Sequence, residues 1–308
     1  MQLTLEGEGL RNLRVSLPLD KTQKVVESLR EINSASGMIP IRTLEKITGL
    51  LAWIANIIPV ARPWTAMLWA ALHAAKLGSA AGPKKWETRV RKGLAFKRQV
   101  DHAVKWLDHL VQAKGSFLDG HPMVPLSKVF RFRSHAPIVG VTTDACPTGL
   151  GGILNIGGKP VAYFALEVTT ELCKIFGDTA KVGDPSFQTE WELLAIFIAV
   201  KVFAKFLRKI RVQIFLKTDN TAALRAALEF KASSPIMCSL AAEISIQLEA
   251  DGWDPLWGRH LRGIHNTLAD PVSRMFEGES LPEILVNVRR VEVPPVLSLF
   301  KVWPRAVT

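Results

Sequence analysis

The chain has 308 residues, 48% of them hydrophobic and 22% charged, which gives room for two ordinary domains and argues against disorder over its bulk. Its net charge of +11 is unevenly placed, since residues 1–135 contain 21 Lys and Arg against 10 Asp and Glu, whereas residues 136–308 contain 18 against 18. This asymmetry indicates a polyanion-binding region joined to a differently built domain. Three widely spaced cysteines argue against a disulfide framework or a zinc site.

The first part of the chain has the apolar spacing that is typical of helices. Three helices are predicted, over residues 21–32 with Asp20 as the N-cap, over residues 42–58, and from Pro63 through residue 72. This part is therefore predicted to be helical.

A basic stretch follows a linker of small residues at 78–83. Residues 84–114 are predicted to form a long amphipathic helix, and residues 120–129 a loop. The cations of this helix are candidates for nucleic-acid binding: Lys84, Lys85, Arg89, Arg91, Lys92, Lys97 and Arg98. A solvated helix face is the alternative, because that is the usual role of a charge run. Phosphate contacts would instead make binding strongly salt-dependent.

Residues 47–75 are strongly apolar and would suit either a membrane span or buried helices. Pro59, Arg62 and Pro63 interrupt them, so no run of about 20 apolar residues remains, and buried core helices are favoured. A membrane-anchored helical protein is the alternative. The N-terminus lacks a basic segment followed by an apolar run, so no signal peptide is expected. An intracellular location, in the cytoplasm or the nucleus, is expected instead.

After Pro137 the pattern changes to short β-rich runs. Five strands are predicted, the first three as an antiparallel meander, over residues 138–144, 149–156, 160–166, 212–218 and 255–260. Helices are predicted between and after them, over residues 189–207, 220–230, 238–248 and 266–275. This succession predicts a mixed sheet with flanking helices. The remaining Pro- and Val-rich residues are predicted to form an extended arm or a truncated connection.

Four acidic residues occupy positions where packing does not explain them. Asp144 and Asp219 end apolar strands, Glu192 is in the first turn of a helix, and Asp270 is near the start of another. Strand-end carboxylates point into the crevice beyond a sheet, where ligands bind. Clustered carboxylates repel one another and raise one another's pKa values, and divalent cations such as Mg²⁺ relieve that conflict. Two such ions about 4 Å apart serve phosphodiester hydrolysis, the chemistry that this pattern indicates.

Four motifs in order resemble reverse-transcriptase-linked ribonuclease H. Thr143-Asp-Ala-Cys-Pro-Thr-Gly-Leu-Gly-Gly-Ile-Leu154 is similar to the first hairpin of that family, and Thr189-Glu-Trp-Glu-Leu-Leu-Ala195 to the helix with its glutamate. Thr218-Asp-Asn-Thr-Ala-Ala223 resembles its Thr-Asp-Asn strand end. The segment His260-Leu-Arg-Gly-Ile-His-Asn-Thr-Leu-Ala-Asp-Pro-Val-Ser-Arg274 is similar to the signature that closes the domain in retroelements.

The first part resembles the thumb of a reverse transcriptase, with the nearest pattern in DIRS-like and related retroelements. The resemblance rests on three segments, Val15-Ser-Leu-Pro-Leu-Asp-Lys21, Ile39-Pro-Ile-Arg-Thr-Leu-Glu-Lys-Ile-Thr-Gly-Leu-Leu-Ala-Trp53 and Ile58-Pro-Val-Ala-Arg-Pro63. The chain has no Asp-Asp dipeptide, and its single Tyr163 precedes Phe-Ala-Leu, so the polymerase palm is missing. No polymerase activity is therefore expected from this chain alone, and a segment bearing the palm and fingers is an expected partner.

The resemblance implies an α/β fold, a ribonuclease H-like mixed five-stranded sheet with flanking helices, preceded by an all-helical thumb-like region. The implied domains are residues 1–135, residues 136–276 and a tail over residues 277–308. The implied activity is endonucleolytic cleavage of the RNA strand of RNA–DNA hybrids with two Mg²⁺ ions, or Mn²⁺ in their place. A catalytically inactive, nucleic-acid-binding remnant is the alternative.

The family's residue roles carry over by position. Asp144 would bridge the two metal ions, Glu192 and Asp219 would complete the site near the leaving group, and Asp270 would help to hold the ion that activates water. Asn220 and His260 match positions that contact nucleic acid. Two departures, Cys146 for the usual Ser and Arg262 for the usual Pro, put the fit of the substrate in doubt rather than the chemistry.

Simpler, purely structural interpretations of the same residues compete with these roles. Asp144 precedes Pro147 and Gly149 and could be a turn residue, and Glu190 rivals Glu192 because a glutamate in a first helical turn is often only a favourable charge. Asp219 and Asn220 could cap the following helix. His260 and His265 could be surface residues, and Asn266 and Arg274 are predicted to be structural.

Overall fold

The protein is described by a computed structural model, which covers residues 2–6, 12–34, 38–78, 89–91, 103, 127–131, 137–177, 179–207, 212–232, 234–251, 253 and 256–301. The chain forms two compact units, Met1–Ser134 and His135–Thr308.

The first unit contains the three predicted helices, α1 (Leu19–Ser34), α2 (Ile41–Ile57) and α3 (Arg62–Gly78). Helix α2 buries a stripe of apolar side chains against α3, because its apolar residues recur at helical spacing: Leu44, Ile47, Leu51 and Ile54. Helix α1 begins at Leu19, so Asp20 lies inside its first turn and is not the cap.

Five short strands accompany these helices, so the first unit is not helical throughout. Strands β1 (Gln2–Glu6), β2 (Asn12–Ser16) and β5 (Ser127–Arg131) form an antiparallel sheet in the order β1-β2-β5. Strands β3 (Met38–Pro40) and β4 (Arg89–Arg91) pair antiparallel. The pairing of β2 with β5 and of β3 with β4 could not be predicted from local sequence, because the two strands of each pair lie far apart along the chain.

These strands correct two predictions. The basic helix over residues 84–114 is wrong at Arg89 and Arg91, which belong to β4, and the loop over residues 120–129 is wrong where β5 begins. The other predicted nucleic-acid contacts of this region lie outside the described residues: Lys84, Lys85, Lys92, Lys97 and Arg98.

The apolar stretch at residues 47–75 is divided between α2 and α3 by a short 3-10 helix, Pro59–Ala61. In the described part of the chain, none of the helices combines the length and the apolar character that crossing a membrane requires.

The second unit is built on a six-stranded mixed sheet that contains all five predicted strands. These are β6 (Ile138–Cys146), β7 (Gly149–Ile156), β8 (Lys159–Glu167), β9 (Gln213–Thr218) and β10 (Trp257–His260). Strands β6, β7 and β8 form the antiparallel meander, while β9 runs parallel to β6 and β10 parallel to β9. A sixth strand, β11 (Arg289–Arg290), pairs parallel with β8 and gives the order β10-β9-β6-β7-β8-β11.

Helices lie on both faces of this sheet, although they do not cover all of it. They are α4 (Thr170–Cys173), α5 (Gln188–Leu207), α6 (Thr221–Glu229), α7 (Pro235–Ala250), α8 (Ala269–Ser273) and α9 (Val296–Leu299). Helix α5 packs on β6 and β7 and also on α6 and α7, so it is apolar around most of its circumference. Helix α8 lies on the opposite face, where it contacts β6, β7 and β8.

The last segment of the chain is part of the fold as far as residue 301, so the expectation of an extended arm is wrong. Leu285 is fully buried in a cluster with Ile153 and Val272, and Phe300 stacks on Phe197 of α5 with ring centroids 4.7 Å apart. The Lys301 backbone N–H donates a hydrogen bond to Glu243 Oε2 at 2.9 Å. The sequence did not indicate these contacts because each of them joins residues that lie far apart along the chain.

Candidate metal centre

Three of the four predicted carboxylates meet at one edge of the second unit's sheet. Asp144 lies near the carboxyl end of β6, Asp219 directly follows the parallel strand β9, and Glu192 faces them from α5. One oxygen atom of each lies within 4.8 Å of the others. The carboxyl ends of neighbouring parallel strands share an edge of the sheet, and this is why residues 75 positions apart come together.

Two hydrogen bonds fix the carboxylate of Asp144, which is 3% exposed. Asn266 Nδ2 donates to Oδ1 at 2.8 Å, and Ser273 Oγ donates to Oδ2 at 2.6 Å. Both donors come from the segment that contains α8. Asn266 therefore has the structural role that was predicted for it, because its side-chain amide positions the carboxylate of Asp144.

Two glycines of β7 allow α8 to approach the sheet this closely. A Cβ atom on Gly151 would lie 2.7 Å from the Ser273 nitrogen and 3.0 Å from the Ala269 oxygen, and one on Gly149 would collide with the Ser273 carbonyl oxygen. The Gly-Leu-Gly run of the first hairpin thus has a physical reason, because it brings the Ser273 hydroxyl to Asp144.

Glu192 is 2% exposed and is held by three donors. The Ala145 N–H and Gln188 Nε2 donate to Oε1 at 3.2 and 3.3 Å, and Thr218 Oγ1 donates to Oε2 at 3.2 Å. Its rival Glu190 lies away from this cluster and accepts a hydrogen bond from Ser234 Oγ at 3.1 Å. The structure therefore brings Glu192, and not Glu190, to the two aspartates.

Burial makes the negative charge of this cluster costly. It raises the pKa of Glu192 from 4.5 to about 9, and the charges of Asp144 and Asp219 act in the same direction. Burial also raises the pKa of Asp144 from 3.8 to about 6, with further contributions from Asp219 and Asp270, although the hydrogen bond from Ser273 lowers it. Without a cation, these carboxyl groups cannot all be ionised near neutral pH.

Asp270 stands beside this group rather than within it. Its Oδ1 accepts a hydrogen bond from Arg274 Nε at 2.8 Å, and its side chain is 44% exposed. Its charge nevertheless contributes to the raised pKa of Asp144. The structure thus gathers three of the four predicted acids and leaves the fourth paired with an arginine at the rim.

Asn220 and His260 have defined local contacts. The Asn220 Oδ1 accepts from the Ala223 N–H at 2.9 Å and caps α6, while its Nδ2 donates to Thr189 Oγ1 at 3.3 Å. His260 Nε2 lies 2.8 Å from the Asp219 carbonyl oxygen, which accepts, so this nitrogen carries a hydrogen. The histidine therefore holds the backbone that presents the Asp219 side chain.

The donor set fits a hard divalent cation. It consists of carboxylate oxygens, which Mg²⁺ prefers, and two of the three side chains are buried and fixed by hydrogen bonds. Within the described ranges, no lysine or arginine forms an ion pair with Asp144, Glu192 or Asp219. A cation would therefore supply the compensating charge that the protein side chains do not.

Sequence reasoning missed some of the residues that orient the acids. Ser273 lies in the quoted closing motif, three residues after Asp270, but no role was assigned to it, and Thr218 and Gln188 were not singled out. The position of Gln188 one turn before Glu192 on the same helix was the available signal.

The comparisons with known proteins give structural likeness only. No protein-family model matches the chain, and no characterised protein matches it in sequence. RNase H1 from the halophilic archaeon Halobacterium salinarum NRC-1 is 15% identical, with 46% of this chain and 99% of that chain covered and a TM-score of 0.35. LC11-RNase H1 in complex with an RNA/DNA hybrid has the same identity and coverage and a TM-score of 0.36.

A foamy viral protease-reverse transcriptase in complex with dsDNA is 15% identical, with 77% of this chain and 41% of that chain covered and a TM-score of 0.28. The strand order β10-β9-β6-β7-β8, with the long helix α5 on one face and carboxylates at the ends of β6 and β9, defines a ribonuclease H-like fold. The resemblance to DIRS-like elements stays a prediction.

Proposed function

We propose that the second unit is a metal-dependent endonuclease that cleaves the RNA strand of RNA–DNA hybrids. The observation that carries this proposal is the meeting of Asp144, Glu192 and Asp219, with ligand oxygens within 4.8 Å of one another. Mg²⁺ ions held by these carboxylates would neutralise their charge, activate a water molecule and stabilise the leaving oxygen.

The protein's own contribution is to hold the acids in a fixed arrangement. Ser273 and Asn266 prevent rotation of the Asp144 carboxylate, and Thr218 and the Ala145 N–H do the same for Glu192. Preorganised ligands need no rearrangement when a substrate phosphate arrives. Choice of the RNA strand would rest on contacts to its 2′-hydroxyl groups across the shallow minor groove.

Asp270 is proposed as a fourth ligand at the exposed side of the cluster. Its Oδ1 is engaged by Arg274, and among the described residues its Oδ2 has no hydrogen-bond partner, so Oδ2 is available without breaking the ion pair. The exposed position suits a carboxylate that completes a site only when substrate is present.

A cleavage assay with a labelled hybrid and Mg²⁺ tests this proposal. The wild-type chain is expected to cut the RNA strand, and the Asp144→Asn, Asp219→Asn double variant to lose at least about a hundredfold in rate. Asp184→Asn is the matched control, because this half-buried aspartate lies outside the cluster, and asparagine retains the side-chain oxygen that accepts a hydrogen bond from the Ser186 N–H. Full activity in the double variant would refute the assignment.

One observation favours the alternative of a non-catalytic, nucleic-acid-binding protein, namely the ion pair between Arg274 and Asp270. If that pair keeps the fourth carboxylate from the site, the wild-type chain binds the hybrid and does not cut it. Binding that persists in EDTA, with no cleavage under Mg²⁺ or Mn²⁺, would establish this alternative.

A further inference from the structure

One region of the sheet in the second unit lacks a covering helix among the described residues. Side chains alternate between the two faces, and β9 buries Ile214, Leu216 and Thr218 towards the helix α5 side. Helix α8 covers β6, β7 and β8 on the other face. On the β9 and β10 part of that face, four side chains are partly or largely exposed, and we name them the β9–β10 platform: Phe215, Lys217, Trp257 and Arg259.

The platform has two aromatic rings at its centre. Trp257 lies opposite Phe215 in the parallel register, and their ring centroids are 4.7 Å apart at an interplanar angle of 79°. Trp257 is nonetheless 45% exposed, so much of the indole is free of protein contact. An exposed tryptophan held rigidly by a second ring is a suitable surface for stacking a planar ligand.

Two cations flank these rings one step further along the strands. Arg259 lies opposite Lys217 in the same register, and Lys217 Nζ is 6.0 Å from the centroid of the Phe215 ring. In the part of the chain that the structure describes, neither cation forms an ion pair with a carboxylate. The platform therefore combines an aromatic surface with unneutralised positive charge.

The platform also leads directly to the metal cluster. The next residue on β9 is Thr218, whose hydroxyl donates to Glu192, and the next on β10 is His260, whose ring holds the Asp219 backbone. The platform and the carboxylate cluster are thus separated by one residue along β9 and along β10. A nucleic-acid chain with a phosphate at the cluster would therefore pass close to the platform.

We propose that the β9–β10 platform binds unpaired nucleotides of the nucleic acid that enters the site, with a base stacked on Trp257 and phosphates at Lys217 and Arg259. Stacking requires an unpaired base, and the paired cations match successive phosphates in charge. This inference rests on the proposed function in that it names a further part of the same substrate.

The test compares two RNA–DNA hybrids in EDTA, one blunt and one with an unpaired extension of about eight nucleotides. The wild-type chain is expected to bind the extended hybrid about tenfold more tightly than the blunt one. Trp257→Ala should abolish this preference, and Trp257→Phe should restore most of it, which separates stacking from a fold defect. Lys217→Gln with Arg259→Gln should reduce the salt slope for the extended hybrid by about two.

Arg225→Gln is the matched control, because this exposed arginine of α6 lies on the other face and pairs with Glu229. Equal affinity of the wild type for both hybrids, or an unchanged preference in Trp257→Ala, would overturn the inference. Cleavage of the blunt hybrid under Mg²⁺ is measured in parallel. Its absence, with the preference intact, counts against the proposed function alone, whereas its presence without a preference counts against the platform alone.

Discussion

At the scale of single residues, the site depends on how Asp144 is held. A buried carboxylate needs donors, and Asp144 receives one from Asn266 and one from Ser273 at 2.8 and 2.6 Å. These bonds stabilise the ionised form against the burial that raises its pKa to about 6. Ser273 is thus a positioning residue that acts through Asp144.

Ser273→Ala should lower the rate of hybrid cleavage by about ten- to a hundredfold, as is typical for loss of a hydrogen bond to a metal ligand. Because the Ser273 hydroxyl lowers the pKa of Asp144, the acid limb of the pH–rate profile should also move to higher pH. Ser239→Ala is the control, since that hydroxyl donates to the Pro235 carbonyl oxygen of its own helix. A reduced rate with an unmoved acid limb would contradict this role.

The raised pKa of Glu192 predicts how stability depends on pH without metal. The folded protein holds this proton up to about pH 9, whereas the unfolded chain releases it near 4.5. The folded state therefore binds more protons in this interval, so the free energy of unfolding should fall as the pH rises through it. Asp144 adds to the fall between its values of 3.8 and about 6.

Thermal unfolding in EDTA across this pH range measures the effect. The melting temperature should decline towards alkaline pH in the wild type, and the decline should be smaller in Glu192→Gln. Mg²⁺ should restore the wild type most strongly at the alkaline end and have little effect on the variant. A melting temperature that rises steadily with pH would contradict a destabilising ionisation of the buried carboxylates.

At the scale of elements, the position of α8 depends on a segment that the sequence assigned to a tail. Leu285 follows α8 by more than ten residues, is fully buried, and packs with Ala269 and Val272 of that helix. It also contacts the β7 and β8 face through Ile153 and Tyr163. The segment after α8 therefore helps to press the Ser273 hydroxyl towards Asp144.

Leu285→Ala should destabilise the second unit by about 2–5 kcal/mol, because it leaves a cavity in a packed cluster. Ile284→Ala is a close control, since the neighbouring side chain is 58% exposed and its loss should cost less than about 0.5 kcal/mol. Urea denaturation followed by circular dichroism compares them. Equal stability of the two variants would mean that residues 277–308 do not belong to the fold.

At the scale of the whole molecule, the two parts of the chain differ in net charge. The excess of positive charge lies in residues 1–135, while the second part is neutral and concentrates acids at the end of its sheet. Under the proposed function, the basic part would attract a polyanion and the acidic cluster would bind a cation, and their separation along the chain would limit mutual neutralisation.

The sequence predicted the second unit better than the first, for physical reasons. Its first strands are short β-rich runs separated by turn residues such as Gly157 and Gly158, and Asp219 directly follows strand β9, so the strand positions and Asp219 could be predicted from local sequence. The family resemblance already favoured Glu192 over Glu190, whereas helical spacing alone did not separate them, because both lie in the same helical turn. Strand β5 was missed because its pairing partner β2 lies more than 100 positions away in the chain.

The central claim is that Asp144, Glu192 and Asp219 form one cation site, and calorimetric titration with Mn²⁺ tests it most directly. The wild type and Glu190→Gln, which differ by a carboxylate outside the cluster, should bind Mn²⁺ with the same affinity. Glu192→Gln, on the same helix as Glu190, should bind Mn²⁺ at least about tenfold more weakly, because the substitution removes one charged ligand. Undiminished binding by Glu192→Gln would contradict the account.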